Sequence, residues 1–310
     1  MKKIYLKILI FISFSLLFIS CTNNNEQKVE DTSQYTKWNE GSLTLYVDED
    51  IAPLVDSIIP MYKKSYPKVN LEVKKVTSRE GMALLLNGKA NIVLEGRGFL
   101  KDEDSLMKEY NVKLPEPWEF ANDVLVFYTN VNNPTDTMNA KDIEDYFANN
   151  KLSAQKALKI NWNPEFVVSH PNSSVYAHFR HFVLKDGKTQ RKIRVMPSFD
   201  SVKSYVAKNK NAVGIGLLGQ IVGDLRFRPI MLGYYDSTGK YVTPKVVHQS
   251  YIVQGLYPYI VSYKAYLFSE RKTPAFWCAT FFARESAVQT FIKNYGLVPA
   301  YAKFVLIKED

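Results

Sequence analysis

From residue 42 onward, short apolar runs alternate with amphipathic stretches, and the alternation predicts strands and helices in turn. Ser42–Val47 (SLTLYV) reads as a β-rich run ending in Asp48-Glu49-Asp50. Ile51, Leu54, Val55, Ile58, Ile59 and Tyr62 then recur at helical spacing. Pro53 falls in the first turn of that helix, where proline is tolerated, and Pro67 stops it. Val69, Leu71 and Val73 alternate with polar residues, as a strand over Val69–Val76 requires. Ser78 is expected to cap a helix over Arg79–Leu86, which Asn87-Gly88 ends. Ala90–Leu94 is another short apolar strand. A β-α-β-α-β order implies a largely parallel sheet covered by helices.

The same kind of unit follows. Asp123–Thr129 is a strongly apolar strand, Asn132-Asn133-Pro134 a turn, and Asn139 caps a helix over Ala140–Phe147. Phe166–Val168 leads through Ser169-His170-Pro171-Asn172-Ser173-Ser174 into a helix running from Val175 to about Leu184. Ile193–Met196 is a strand, Ser198-Phe199-Asp200 opens a helix over Ser201–Lys208, and Ala212–Leu218 is a glycine-containing strand. Tyr257–Phe268 reads as a further strand, Pro274–Arg284 and Ser286–Tyr295 as two helices, and Gly296-Leu297-Val298-Pro299 as the closing segment.

Composition bounds what these elements build. The 310 residues exceed what one hydrophobic core usually organises, so two lobes are expected. The 20 Tyr and 18 Phe fall mostly within the periodic segments, where they serve core packing. The formal charge is +9, but basic residues are scattered and interleaved with acids, which suits small anions or acidic lipid head groups and not a nucleic-acid footprint. With two cysteines there is no disulfide framework and no zinc spacing.

Residues 1–21, MKKIYLKILIFISFSLLFISC, have a different pattern. Lys2, Lys3 and Lys7 precede an apolar run from Ile8 to Ile19, and small Ser20 precedes Cys21. This is an export signal of about 12 apolar residues, too short to span a bilayer. A cysteine directly after the small residue marks a lipoprotein signal, with Cys21 taking the lipid. Residues 1–20 are therefore expected to be removed, and polar residues 21–41 to act as a tether. The rest works outside the cytoplasm, lipid-anchored on the periplasmic side of the envelope. Cys278, in AFWCATFF, is then the remaining thiol and a buried small hydrophobe.

Seven segments in order resemble the phosphate-type substrate-binding lipoproteins of bacterial ABC transporters, within the type II periplasmic-binding superfamily. SLTLYVDEDIAPLVDSIIPMYKKSYPKVNLEV is similar to the family's opening, NGKANIVLEGRGF to its "G-x-A-D-I" strand and following Arg, and FANDVLVFYTNVNNPTDTMNAKDIEDYF to its lobe crossover. VVSHPNSSVYAHFRHFVL occupies the place of the "S-G-T" anion loop and helix. NAVGIGLLG, YPYIVSYKAYLF and AVQTFIKNYGLVPA are similar to the "AIGY" strand, the return strand and the terminal "GLVP" segment. The chain departs from the pattern where Ser169 stands for Arg and Ser173-Ser174-Val175 for Ser-Gly-Thr. Asp48-Glu49-Asp50 replaces a loop often rich in Thr or Ser.

The resemblance implies an α/β, two-lobed type II periplasmic-binding fold with a ligand cleft between lobes and two hinge crossovers, near Thr129 and Ser250. Lobe one is expected over residues 42–130 plus 250–310, and lobe two over 131–249. The implied function is capture of phosphate or a related small oxyanion for an ABC permease, with no enzyme chemistry, cofactor, metal or nucleic acid. Ligands of open α/β sheets bind beyond the carboxyl ends of strands, where helix N-termini suit an oxyanion. The candidate ligand-binding residues are accordingly Asp48, Glu49, Asp50, Ser78, Arg79, Arg97, Asn172, Ser173, Ser174 and Ser198, with Arg97 first and Arg79 second as sources of positive charge. His178 and His181, three apart on a helix, lack a third metal ligand. The alternative is a sensory or envelope-scaffold lipoprotein with a degenerate pocket, which the missing Arg and Thr of the anion loop support. Replacing Cys21 by Ala is expected to leave unprocessed precursor or to release the protein from membranes. Fractionation showing normal processing and unchanged attachment would exclude lipidation.

Overall fold

The computed structural model describes residues 39–269 and 271–301. The signal, Cys21, most of the tether and the last nine residues lie outside them. In chain order the elements are β1 (Glu40–Asp48), α1 (Ala52–Ser65), β2 (Lys68–Val76), α2 (Ser78–Leu86), β3 (Ile92–Glu95), α3 (Lys101–Glu109), β4 (Trp118–Asn130), β5 (Thr137–Asn139), α4 (Ala140–Ala148), α5 (Ala154–Leu158), β6 (Glu165–Ser169), α6 (Ser174–Phe182), β7 (Arg194–Met196), α7 (Phe199–Lys208), β8 (Ala212–Leu217), α8 (Leu218–Ile221), β9 (Phe227–Pro229), β10 (Met231–Tyr235), β11 (Tyr241–Val242), α9 (Gln249–Val253), β12 (Ile260–Leu267), α10 (Pro274–Arg284), α11 (Ser286–Tyr295) and β13 (Val298–Pro299). β1 starts at Glu40, inside the segment expected as tether.

One large sheet runs β2-β1-β3-β12-β4-β8-β6-β7, with β9 and β13 also paired to β4. It has two parallel halves. β1 is parallel to β2 and β3, and β6 is parallel to β7 and β8. The sheet is not parallel throughout, because β12 is antiparallel to both β3 and β4, and β4 is antiparallel to β8. β4 belongs to both halves. Up to Val124 its partner is β12, and from Leu125 onward it pairs with β8. The crossover expected near Thr129 thus begins inside a strand. The return strand β12 brings residues 260–267 back beside β3. A small separate sheet, β11-β10-β5, flanks the second half.

Several helices form where an apolar stripe runs along the sequence. Ala52, Leu54, Val55, Ile58 and Tyr62 are the buried face of α1, whose first turn holds Pro53. Asn139 caps α4 by accepting from Lys141 N–H, and Ser173 caps α6 by accepting from Tyr176 N–H. One cap differs from expectation. The α2 cap is Thr77, whose hydroxyl accepts from Glu80 N–H, while Ser78 is already helical and fully buried. The central β4 carries Phe120 to Tyr128 through the core, and Cys278 is buried in α10. Gly214 in β8 is needed for close approach: a Cβ there would lie 2.3 Å from the Tyr128 ring. Among the described residues no helix is long and apolar enough to cross a membrane.

Candidate functional site

The loops leaving β1, β3 and β6 meet at one end of their strands, with α8 beside them. Asp48 ends β1 and accepts from Asp50 N–H at 3.1 Å and from Gly96 N–H at 3.2 Å. Glu95 ends β3, and its Oε1 accepts from the same Gly96 N–H at 3.3 Å. Asp48, Asp50 and Glu95 are fully buried. Gly96 lets these groups converge, because a Cβ there would lie 2.8 Å from Ile51 and 3.0 Å from both Asp48 Oδ2 and Ser174 Oγ.

Asp50 reaches across to the second half of the sheet. Its Oδ2 accepts from Ser174 Oγ–H at 3.1 Å and from Val175 N–H at 2.9 Å, both at the start of α6. Gln220 of α8 donates Nε2–H to the Asp50 carbonyl at 2.9 Å and to Oδ1 at 3.2 Å. Glu49 crosses as well and accepts from His170 Nε2–H at 2.6 Å. That tautomer fits the other ring nitrogen, Nδ1, which accepts from Asn172 N–H at 3.2 Å. Ser173 shares a 2.7 Å hydrogen bond with Ser169, the residue standing in the Arg position. Two further contacts tie the halves: Arg79 N–H to the Asn172 carbonyl at 3.1 Å, and His178 Nε2–H to the Gly96 carbonyl at 2.7 Å.

The structure therefore brings together Asp48, Glu49, Asp50, Asn172, Ser173 and Ser174. The other candidates are placed differently. Ser78 lies beside Glu95, and both are fully buried. Arg97 is 3% exposed and engages Glu103 through two bonds, at 2.7 and 2.9 Å, with a third to the Gly98 carbonyl. Arg79 pairs with Asp102 and Glu103. Both guanidinium groups are thus matched by acids of α3, so they line the cleft as neutralised pairs. Ser198 caps α7, and its hydroxyl is taken up by Ser201. Beside the buried cluster a cleft of about 870 Å³ is lined by Arg97, Lys101, Asn172, Tyr176, Arg180 and Lys264 among others. Lys101 spans it to Asp186 at 2.9 Å. Among the described residues no group of three or more His, Cys, Asp or Glu side chains could hold a metal ion.

Sequence reasoning missed Glu95, His170, Gln220 and Asp123 as parts of this region. Asp123 sits where β4 changes partner, accepting from Gly219 N–H at 2.9 Å and from the Tyr263 hydroxyl. An acid next to or within an apolar strand was the available signal for Glu95 and Asp123, since such a group is rarely buried without partners. His170 lay in the loop before α6 but was not expected as a partner of Glu49, and nothing local marked Gln220.

Burial is the main electrostatic force here. It pushes the Asp50 carboxyl up to about 7, reinforced by the Asp48 charge and opposed by the Val175 N–H bond. Burial, followed by Asp48, raises Glu95 well above the carboxylate range. Asp123 is pushed up to about 6 by burial against its hydrogen bonds, and burial lowers His178 to about 4. The cluster can hold a proton among its acids while presenting N–H and O–H donors from α6 and α8.

Arg97→Ala removes two bonds from the buried Glu103, which keeps Arg79 and the Leu100 N–H, so it should cost about 1–3 kcal/mol in denaturant unfolding; a loss under about 0.5 kcal/mol would show the pair to be unimportant. Folded Asp50 keeps its proton to a higher pH than its ordinary value of 3.8, so the unfolded chain releases that proton first as pH rises. The unfolding free energy of wild type relative to Asp50→Asn should therefore decline between about pH 4 and 7 and level off above. A difference independent of pH would contradict the raised value.

Comparison with known proteins agrees with the fold. A family model described as a PBP superfamily domain matches residues 32–306. The phosphate-binding protein PstS of Pseudomonas aeruginosa is 23% identical over 193 residues, covering 58% of this chain and 59% of that protein. The match thus spans about three-fifths of the relative's length. Among solved structures, a Clostridium perfringens protein with bound phosphate is similar at a TM-score of 0.69 and 18% identity, with 84% of this chain and 100% of that one covered. An ABC-type phosphate transport receptor from Vibrio cholerae gives 0.62 and 19%, with the same coverage. With two parallel half-sheets joined through β4 and β12 and a match that takes in all of the described residues, the chain belongs to the periplasmic-binding-protein (PBP) superfamily.

Proposed function

We propose that this protein is an extracytoplasmic solute-binding lipoprotein, anchored through Cys21 on the periplasmic side of the envelope. It captures phosphate or a related small oxyanion and passes it to an ABC permease. The observation that carries this reading is the donor set of Ser174 Oγ, Val175 N and Gln220 Nε2, which converges on one oxyanion, here the Asp50 carboxylate. The relatives' names supply the solute class, since they are phosphate-binding proteins. Lobe one comprises residues 42–130 plus 250–310 and lobe two residues 131–249, with the solute cleft between them. Closure follows from the solute's differential affinity for the closed arrangement. Asp48, Glu49, Ser78, Arg79, Arg97, Asn172, Ser173, Ser174 and Ser198 form or flank that site.

The Asp50 contact also favours a second reading, in which the lobes stay joined without a solute and the lipoprotein serves as a sensor or envelope scaffold. A thermal-shift screen of phosphate, sulfate, molybdate and organic anions separates the two. A solute at 100 times its dissociation constant adds about 2.7 kcal/mol, a shift of a few degrees. Stabilisation by one of these anions is the expected result, and no shift with any of them at millimolar concentration would favour the scaffold.

A further inference from the structure

The donors at the start of α6 are almost fully used within the chain. Asn172 N–H goes to His170 Nδ1, Ser173 N–H to the His170 carbonyl and Tyr176 N–H to Ser173 Oγ. Val175 N–H and Ser174 Oγ–H go to Asp50 Oδ2. Asp50 is fully buried, and its two carboxylate oxygens take donors from two elements, α6 and α8, that belong to the other half of the sheet. Its own backbone follows β1 and is fixed by the bond from Asp50 N–H to Asp48.

We propose that Asp50 is an internal ligand of the cleft: its carboxylate occupies the oxyanion position at the start of α6, latches the two halves together, and sets the specificity of the site by making a free anion compete with the protein's own side chain. The competition part rests on the oxyanion reading above, whereas the latch does not.

Three physical consequences make the latch effective. A side chain held two residues beyond a strand has a far higher effective concentration at this position than a dissolved solute. A solute that needs the unlatched arrangement has its apparent affinity reduced by the fraction of time that arrangement is populated. A dianion entering beside Asp50 also meets the fully buried Asp48, while the nearby guanidinium of Arg97 is already committed to Glu103. Gly96 is the complementary feature on the first half, because a side chain there would collide with both Asp48 and Ser174 and hold the halves apart.

The test uses the full-length lipidated chain in detergent at pH 8, spin-labelled at Lys89→Cys and Lys188→Cys, one exposed position in each half. Interlabel distances are measured without added anion, and phosphate, sulfate and molybdate binding is measured by calorimetry on the unlabelled protein. The wild type should show one short distance, and Asp50→Ala a longer, broader distribution with phosphate affinity raised about tenfold or more, the scale of freeing one hydrogen bond to a charged group. Ser174→Ala should shift the distances in the same direction. If Asp50→Ala does not melt cooperatively, Asp50→Asn, equal in size and uncharged, takes its place. Unchanged distances in the folded variant overturn the latch. Weaker phosphate binding in that variant overturns the competitor role, since Asp50 would then be a solute contact. Longer distances with no anion bound by any form uphold the latch and remove the oxyanion reading.

Discussion

A carboxylate buried between two half-sheets has to be answered by donors, and the arrangement of this cleft follows from that need. Asp50 lies where the loop after β1 meets α6 and α8, with no exposure to water. Leaving such a group unpaired is far more costly than leaving a neutral one. Ser174, Val175 and Gln220 supply the donors, and each belongs to the second half of the sheet. The same bonds that satisfy the acid therefore join the halves. Glu49–His170 and His178–Gly96 add to the junction from either side. The loop after β1 is thus a structural joint between the halves.

Charge balance around the joint is local. Arg97 and Glu103 neutralise each other in the interior, and Arg79 turns outward to Asp102 and Glu103. The remaining buried acids, Asp48, Asp50 and Glu95, relieve their mutual repulsion through raised proton affinity at Asp50 and Glu95. The net positive charge of the whole chain has little part in this. A few buried pairs set the field inside the cleft, because exposed charges are screened within about 10 Å at ordinary salt.

Most of the architecture was legible because its elements bury continuous apolar faces. The α1 stripe, the β4 run and the Asn139 and Ser173 caps appear where their spacing places them. Helix α3 was not legible. Its sequence KDEDSLMKE has Glu103 as its buried residue, so no apolar stripe announced it, and its acids are what bind Arg79 and Arg97. That omission explains why both arginines read as free positive charge. Asp48-Glu49-Asp50 was recognisable as a loop at the end of a strand, yet the side-chain partners of Glu49 and Asp50 come from residues more than 100 positions later. Such pairings depend on how the two halves dock. Ser78 and Thr77 show the finer limit: both are competent caps, and the choice between them is made by which one the sheet buries.

The departures at three loop positions make sense together. A dianion requires strong positive charge and many donors, and the family pattern provides an Arg and a Thr for it. Here Ser169 spends its hydroxyl on Ser173, and Val175 offers only its N–H. A singly charged carboxylate needs less, and the start of a helix with one hydroxyl, one N–H and one amide can hold it. Asp50 supplies such a carboxylate at these donors. Placing Arg at 169 or Thr at 175 alone would leave the Asp50 carboxylate in place, so neither change addresses the group that holds the donors. The loop and Asp50 are best understood as one unit, in which the donors match the anion that the chain itself carries.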